Sequence, residues 1–316
     1  MPPSLPFIAL GLAGLAWWFQ APRPDALGHL APSPALPSWW GRIGLPTWAL
    51  CWVAAAILGG CSGLLDALGV TAVAACIGLS CWGAHTAMHG PEGAAPRWMP
   101  WAVGAFALAL ALHAVPGFHN PLVLDGVRWR PGDPAFALTA SFDKANAGLM
   151  LLVTVVPRGR PLVWRGGPSL TTLSIASLTP ALTLGLGWAW GLTEPAWRWP
   201  RVPGHAMALP LFLLLNLLVT CLAEEAFFRG LLQAALMKRL SPSGWGGRWC
   251  AVALPATLFG LVHLAGGPKM AALATIVGLG SGWVFARTGR IEAAVLTHFS
   301  VNAVHLLAFS YPAGPG

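Results

Sequence analysis

Charge is what this sequence has least of. Asp, Glu, Lys and Arg make up 9% of its 316 residues, against about 25% in a soluble globular domain. That leaves too little polar surface to cover a water-soluble body. Hydrophobic residues reach 56% and mean hydropathy is +0.66. Tyrosine is almost missing, with Tyr311 alone against 18 tryptophans, and indoles favour the membrane interface. The six cysteines, Cys51, Cys61, Cys76, Cys81, Cys221 and Cys250, form no C-x-x-C pair, and they read as small apolar filler. The net charge of +8 is scattered through short loops rather than gathered into a basic patch with interleaved aromatics. Nucleic acid is therefore not an expected partner, and retention of basic loops on the cytoplasmic side explains the charge. No positive n-region precedes the first apolar run, "MPPSLPFIALGLAGLAWWFQ", so that run reads as a membrane helix rather than a cleaved signal.

What is present is a series of apolar runs. About 18–20 such residues cross a bilayer as a helix. The chain offers about ten segments, near 5–20, 47–65, 67–83, 99–115, 143–156, 170–191, 207–237, 250–265, 270–287 and 291–309. Some are short, so eight to ten true spans are expected. The fold class is all-α, a polytopic transmembrane helical bundle, with no internal repeat. Residues 1–160 form an N-terminal transmembrane region and 170–310 a second one. Residues 21–44 are rich in Pro and Gly and read as loop. Residues 117–144 are mixed, with β-like pieces at Leu122–Leu124 and Val127–Arg130 around the turn signal "RPGDP"; this segment is expected on the membrane surface or over one end of the bundle. On the ten-helix map, odd loops hold Arg23, Arg42, Arg97, Arg158, Arg160, Arg165, Lys238, Arg239, Arg248, Arg287 and Arg290, and even loops hold Arg128, Arg130, Lys144, Arg198, Arg201 and Lys269. The positive-inside bias puts the odd loops in the cytoplasm.

A charge at mid-bilayer costs at least about 2.5–3.5 kcal/mol, so ionisable groups at that depth need a reason. Three clusters lie in the C-terminal third: "EEAFFR" from Glu224 to Arg229, "FGLVH" ending at His263, and "HFSVN" from His298 to Asn302. The N-terminal half has only single groups near helix ends, Asp66, His85 and His113, for which snorkelling or a local partner suffices. Glu225 and Arg229 are four apart and share a helix face, so they can pair. Glu224 is rotated about 100° from Glu225 and has no arginine four residues on. His298 and Asn302 also share a face. At about 1.5 Å per residue, Glu224 lies about 26 Å from Met207, His263 about 20 Å from Cys250 and His298 about 10 Å from Ile291. Three helices thus bring polar groups to the middle or cytoplasmic half of one bundle. Asn216, Thr297 and His305 read as packing groups, since Asn and His in membrane helices often only join helices.

In this order and at this depth, E-E-x-x-x-R, F-x-x-x-H and H-x-x-x-N resemble the motifs of the CPBP intramembrane proteases, the CAAX amino-terminal protease or ABI family that includes Rce1-type endopeptidases. The resemblance covers roughly residues 170–310. It implies an intramembrane endopeptidase of the glutamic type. Glu224 would be the general base that activates water, and His263 would hold that water. His298 and Asn302 would stabilise the oxyanion, with Glu225 and Arg229 as the supporting pair. No cofactor is implied.

The chemistry is reasonable on its own terms, because an apolar cavity makes a carboxylate a better base and oxyanion donors are strong in a dry site. Two Glu and two His could instead hold a metal, although the spacing is not H-E-x-x-H and Asn is a poor zinc ligand. The expected partners are the bilayer and a membrane-associated protein or peptide substrate. The expected location is a bacterial cytoplasmic membrane, on composition and family habit. A non-catalytic scaffold or bacteriocin-immunity protein is the competing class, and a proton-coupled transporter a more remote one, since transporters show repeat symmetry.

Overall fold

The structure is a computed structural model, and it describes residues 4–20, 23–24, 30–31, 46–89, 96–130, 132–156, 169–196, 207–240 and 244–310. Among these lie ten helices and three two-stranded antiparallel pairings. The helices are α1 (Ser4–Gln20), α2 (Thr47–Cys61), α3 (Ala67–His89), α4 (Met99–Ala111), α5 (Phe142–Thr154), α6 (Leu170–Ala189), α7 (Ala208–Leu240), α8 (Gly244–Val262), α9 (Pro268–Thr288) and α10 (Ile291–Ala308). They follow the ten apolar runs of the sequence. Five are long and apolar enough to cross a membrane, in α3, α6, α7, α9 and α10. The longest strands are β3 (Leu122–Val127) and β4 (Phe136–Thr139); the others, β1 (Arg23–Pro24), β2 (Leu30–Ala31), β5 (Glu194–Pro195) and β6 (Phe309–Ser310), have two residues each. The chain forms two compact units, residues 1–121 with 141–164, and residues 122–140 with 165–316.

In the first unit α5 is the buried element. Eleven of its residues are buried, from Phe142 to Val153, because it is apolar on nearly every face. Its one internal amide is satisfied: Trp52 Nε1 donates to Asn146 Oδ1 at 2.6 Å, and Asn146 Nδ2 donates to the Phe142 carbonyl at 2.8 Å. The isolated ionisable groups have local partners. His113 Nδ1 lies 2.6 Å from Asp143 Oδ2, and Asp66 Oδ1 accepts from the amides of Leu68 and Gly69 at the start of α3. His113 is also the single non-glycine with positive φ (57°) among the described residues. It ends α4 in the left-handed conformation that glycine usually supplies.

In the second unit α9 is the hub, packed against α6, α8 and α10. Small residues allow the close approach: a Cβ on Gly278 would sit 3.0 Å from Ala256 Cα on α8, and one on Gly280 would strike Thr179 on α6. The segment that looked β-like is a hairpin, but its second strand is Phe136–Thr139 rather than Val127–Arg130. Arg130 is taken by another task. Its guanidinium donates to the carbonyls of Leu306, Leu307 and Phe309 at 2.8, 2.9 and 3.0 Å, placing positive charge on the C-terminal end of α10. Trp129, Phe136 and Phe212 pack ring against ring at 5.6–5.8 Å. The hairpin therefore docks where α7 begins and α10 ends, over Ala208 and Leu306. Strand β5 pairs with β6 at the same end.

Helix α7 departs from the uniform 3.6-residue turn assumed from the sequence. Residues Asn216–Cys221 and Ala226–Gln233 are π-helical, on either side of an α-turn at Leu222–Glu225. π-turns inside helices occur often at functional sites, and here the two of them bracket both glutamates.

Candidate active site

The centre of the second unit is a buried ionic network on α7. Glu225 and Arg229 have no solvent exposure. Glu225 Oε2 accepts from Arg229 Nε at 2.9 Å, the pairing expected of residues four apart. The other oxygen, Oε1, faces His298 Nδ1 on α10 at 3.0 Å and accepts from Ser281 Oγ on α9 at 3.3 Å. A charge taken out of water is tolerable only when paired and hydrogen-bonded, and three elements supply those partners here. The network continues down α7. Arg229 Nη1 reaches Gln233 Oε1 at 3.5 Å, and Gln233 Nε2 donates to the Gly282 carbonyl at 2.7 Å. Gly282 has to be small: a Cβ there would lie 2.9 Å from Gln233 Oε1 and 3.1 Å from Arg229 Nη1. Among the described residues, Arg229 Nη2 has no hydrogen-bond partner. The guanidinium lies 5.9 Å from the centre of the Phe259 ring, which offers it a cation–π contact.

Phe259, the first residue of the F-x-x-x-H motif, joins the helices. Its ring meets His298 edge-on at 5.4 Å and His263 at 4.7 Å, and it packs on Phe228 of α7 at 5.1 Å. His263 follows the last residue of α8, where its Nδ1 lies 2.7 Å from the Phe259 carbonyl. A carbonyl or carboxylate can only accept, so both imidazoles carry their proton on Nδ1 when neutral and leave Nε2 for a second partner. Glu224 is half-buried on the turn that also carries Glu225.

Asn302, one turn beyond His298, belongs to a second polar group. Its Nδ2 donates to Asn216 Oδ1 at 3.1 Å and lies 3.6 Å from Cys221 Sγ. Cys221 Sγ donates to the same Asn216 oxygen at 3.3 Å. Thr297 gives its hydroxyl back to the Ala293 carbonyl at 2.8 Å, a packing arrangement. The structure thus ties Glu225, Arg229, His298, Phe259 and His263 into one chain of contacts, and Asn302 into a group with Asn216 and Cys221. Ser281, Gln233 and Asn216 join this site without any motif to mark them. Only the polarity of Asn216 and Gln233 at membrane depth could have signalled it. Among the described residues, no group of three or more His, Cys, Asp or Glu is placed to hold a metal ion.

Neither a curated protein nor a solved structure matches the chain. Residues 206–304 match the family model described as "Type II CAAX prenyl endopeptidase Rce1-like". The matched stretch runs from the start of α7 into α10 and contains every motif residue from Glu224 to Asn302, so the helices that build this site are similar to that family, the one the three motifs also resemble.

Proposed function

We propose that this multi-pass membrane protein is an intramembrane endopeptidase of the glutamic type, cutting a membrane-associated protein or peptide. The observation that carries the reading is the bond between His298 and Glu225. It makes the first and third motifs parts of one buried network rather than separate helix-packing groups. Arg229 is committed to Glu225. Glu224 then serves as general base, taking a proton from water as that water attacks the peptide carbonyl carbon. His263 Nε2 accepts a hydrogen bond from the same water. Asn302 Nδ2 donates to the oxyanion of the tetrahedral intermediate. His298 can join it only as imidazolium, because Nδ1–H is already given to Glu225. Collapse breaks the C–N bond as Glu224 returns its proton to the leaving amine.

The test is Glu224→Gln. It keeps the size of the side chain and removes the base. Turnover of an internally quenched farnesylated peptide of the CAAX type should fall by about 10²–10⁴-fold, while the variant inserts and purifies as the parent does. A variant that keeps more than about a tenth of the parent rate would exclude Glu224 as the base.

A further inference from the structure

Asn216 stands eight residues into α7, two turns before the glutamates, and belongs to none of the three motifs. Its carboxamide oxygen is nevertheless the acceptor for Asn302 Nδ2 (3.1 Å) and for Cys221 Sγ (3.3 Å). The π-turn makes this possible. In an α-helix, residues five apart point about 140° away from each other. The i→i+5 bonding of Asn216–Cys221 brings its two ends onto one face instead. Asn216 and Cys221 then close around the same amide of Asn302, and Cys221 is fully buried.

The carboxamide of Asn302 has two N–H bonds. One is spent on Asn216. That bond fixes the rotation of the amide and places nitrogen, rather than oxygen, toward α7; the same nitrogen also donates to Cys221 Sγ at 3.6 Å, an acceptor weak enough for an oxyanion to take over the second N–H. An unrestrained side chain would sample both amide orientations and lose the pre-organisation on which oxyanion donors depend. We propose that Asn216 is a positioning residue for peptide hydrolysis, holding Asn302 in its donor orientation, and that the π-turn at 216–221 is the device that sets it there. This rests on the role given to Asn302 under the proposed function. A mere join between helices would cost stability but would not single out kcat.

The experiment uses the purified full-length protein and the farnesylated quenched peptide, with Asn216→Ala, Asn216→Asp, Asn302→Ala and the double variant Asn216→Ala/Asn302→Ala. Losing an oxyanion donor outright costs about 10²–10³ in kcat, and loosening one should cost part of that. Asn216→Ala should lower kcat by about 10–100-fold with KM within about twofold. Asn216→Asp keeps an oxygen acceptor in the same place and should recover most of the loss. The double variant should be no slower than Asn302→Ala within about twofold, since coupled residues are not additive. If Asn216→Ala and Asn216→Asp lose equally, or if the two alanine effects multiply, the inference is overturned. A wild-type rate in Asn302→Ala would instead bring down the role of Asn302 itself. Thermal unfolding of the same four variants provides a readout without catalysis. The melting shifts of the two alanine variants should be clearly less than additive in the double, and additive shifts would show that the Asn216–Asn302 bond does not exist.

Discussion

Arg229→Ala removes one member of a fully buried ion pair. Glu225 would keep the bond to Ser281 and the contact with His298, but Oε2 would lose Arg229 Nε and the carboxylate would lose its fixed positive charge. Breaking a buried pair from one side costs about 3–5 kcal/mol, because the remaining charge is uncompensated. The truncation also opens space beside Phe259 and Gln233 and ends the cation–π contact. Each kcal/mol shifts the melting temperature of a 150–250-residue protein by about 2–4 °C. The larger size here favours the lower figure, so the fall should be about 6–10 °C. The assay is a thermal melt in detergent, read alongside peptide turnover. A companion variant separates charge from packing. Glu225→Gln with Arg229→Met leaves no charge and fills the space, and it should regain most of the lost stability while remaining inactive. Two results would refute the reasoning: an Arg229→Ala protein as heat-stable as the parent, or a double variant whose loss equals the sum of its single losses.

Three further outcomes follow from the same geometry. Gly282→Val should lower both melting temperature and activity, because the added methyls must displace the Gln233 amide or the Arg229 guanidinium; a variant with parental stability would show that this approach is looser than the 2.9 Å and 3.1 Å contacts require. The purified protein should keep its peptidase activity in a strong chelator, and elemental analysis finding about one zinc per chain that leaves together with activity would replace the proposed glutamic mechanism by a metal-bound water. A probe cysteine at Ser243, which lies outside the described residues between α7 and α8, should react in intact cells only with membrane-permeant reagent; labelling by an impermeant reagent would invert the topology read from the basic loops.

The sequence by itself determined whatever depends on composition or on local geometry. Scarce charge and repeated apolar runs dictate helices in a bilayer, because no other open structure satisfies its backbone there. The pairing of Glu225 with Arg229 follows from a spacing of four, and it is present at 2.9 Å. The order of the three motifs sufficed to indicate the Rce1-like family.

The rest was decided by which helix faces meet, and no window of sequence contains that information. His298 finds Glu225 across 73 residues, Asn302 finds Asn216 across 86, and Gln233 finds the Gly282 carbonyl across 49. Asn216 reads as a packing group in the sequence, because Asn in a membrane helix often only joins helices; that it shares a face with Cys221 depends on a π-turn the sequence does not show. A π-turn is stabilised by the packing around it rather than by the propensity of its residues, and "NLLVTC" looks like any other apolar stretch. Arg130 gave the same lesson. In the sequence it is a loop charge counted for topology, and in the fold it lies 7% exposed, holding the last carbonyls of α10. A buried polar group must find a partner; the sequence shows that the need exists, and only tertiary packing selects the partner.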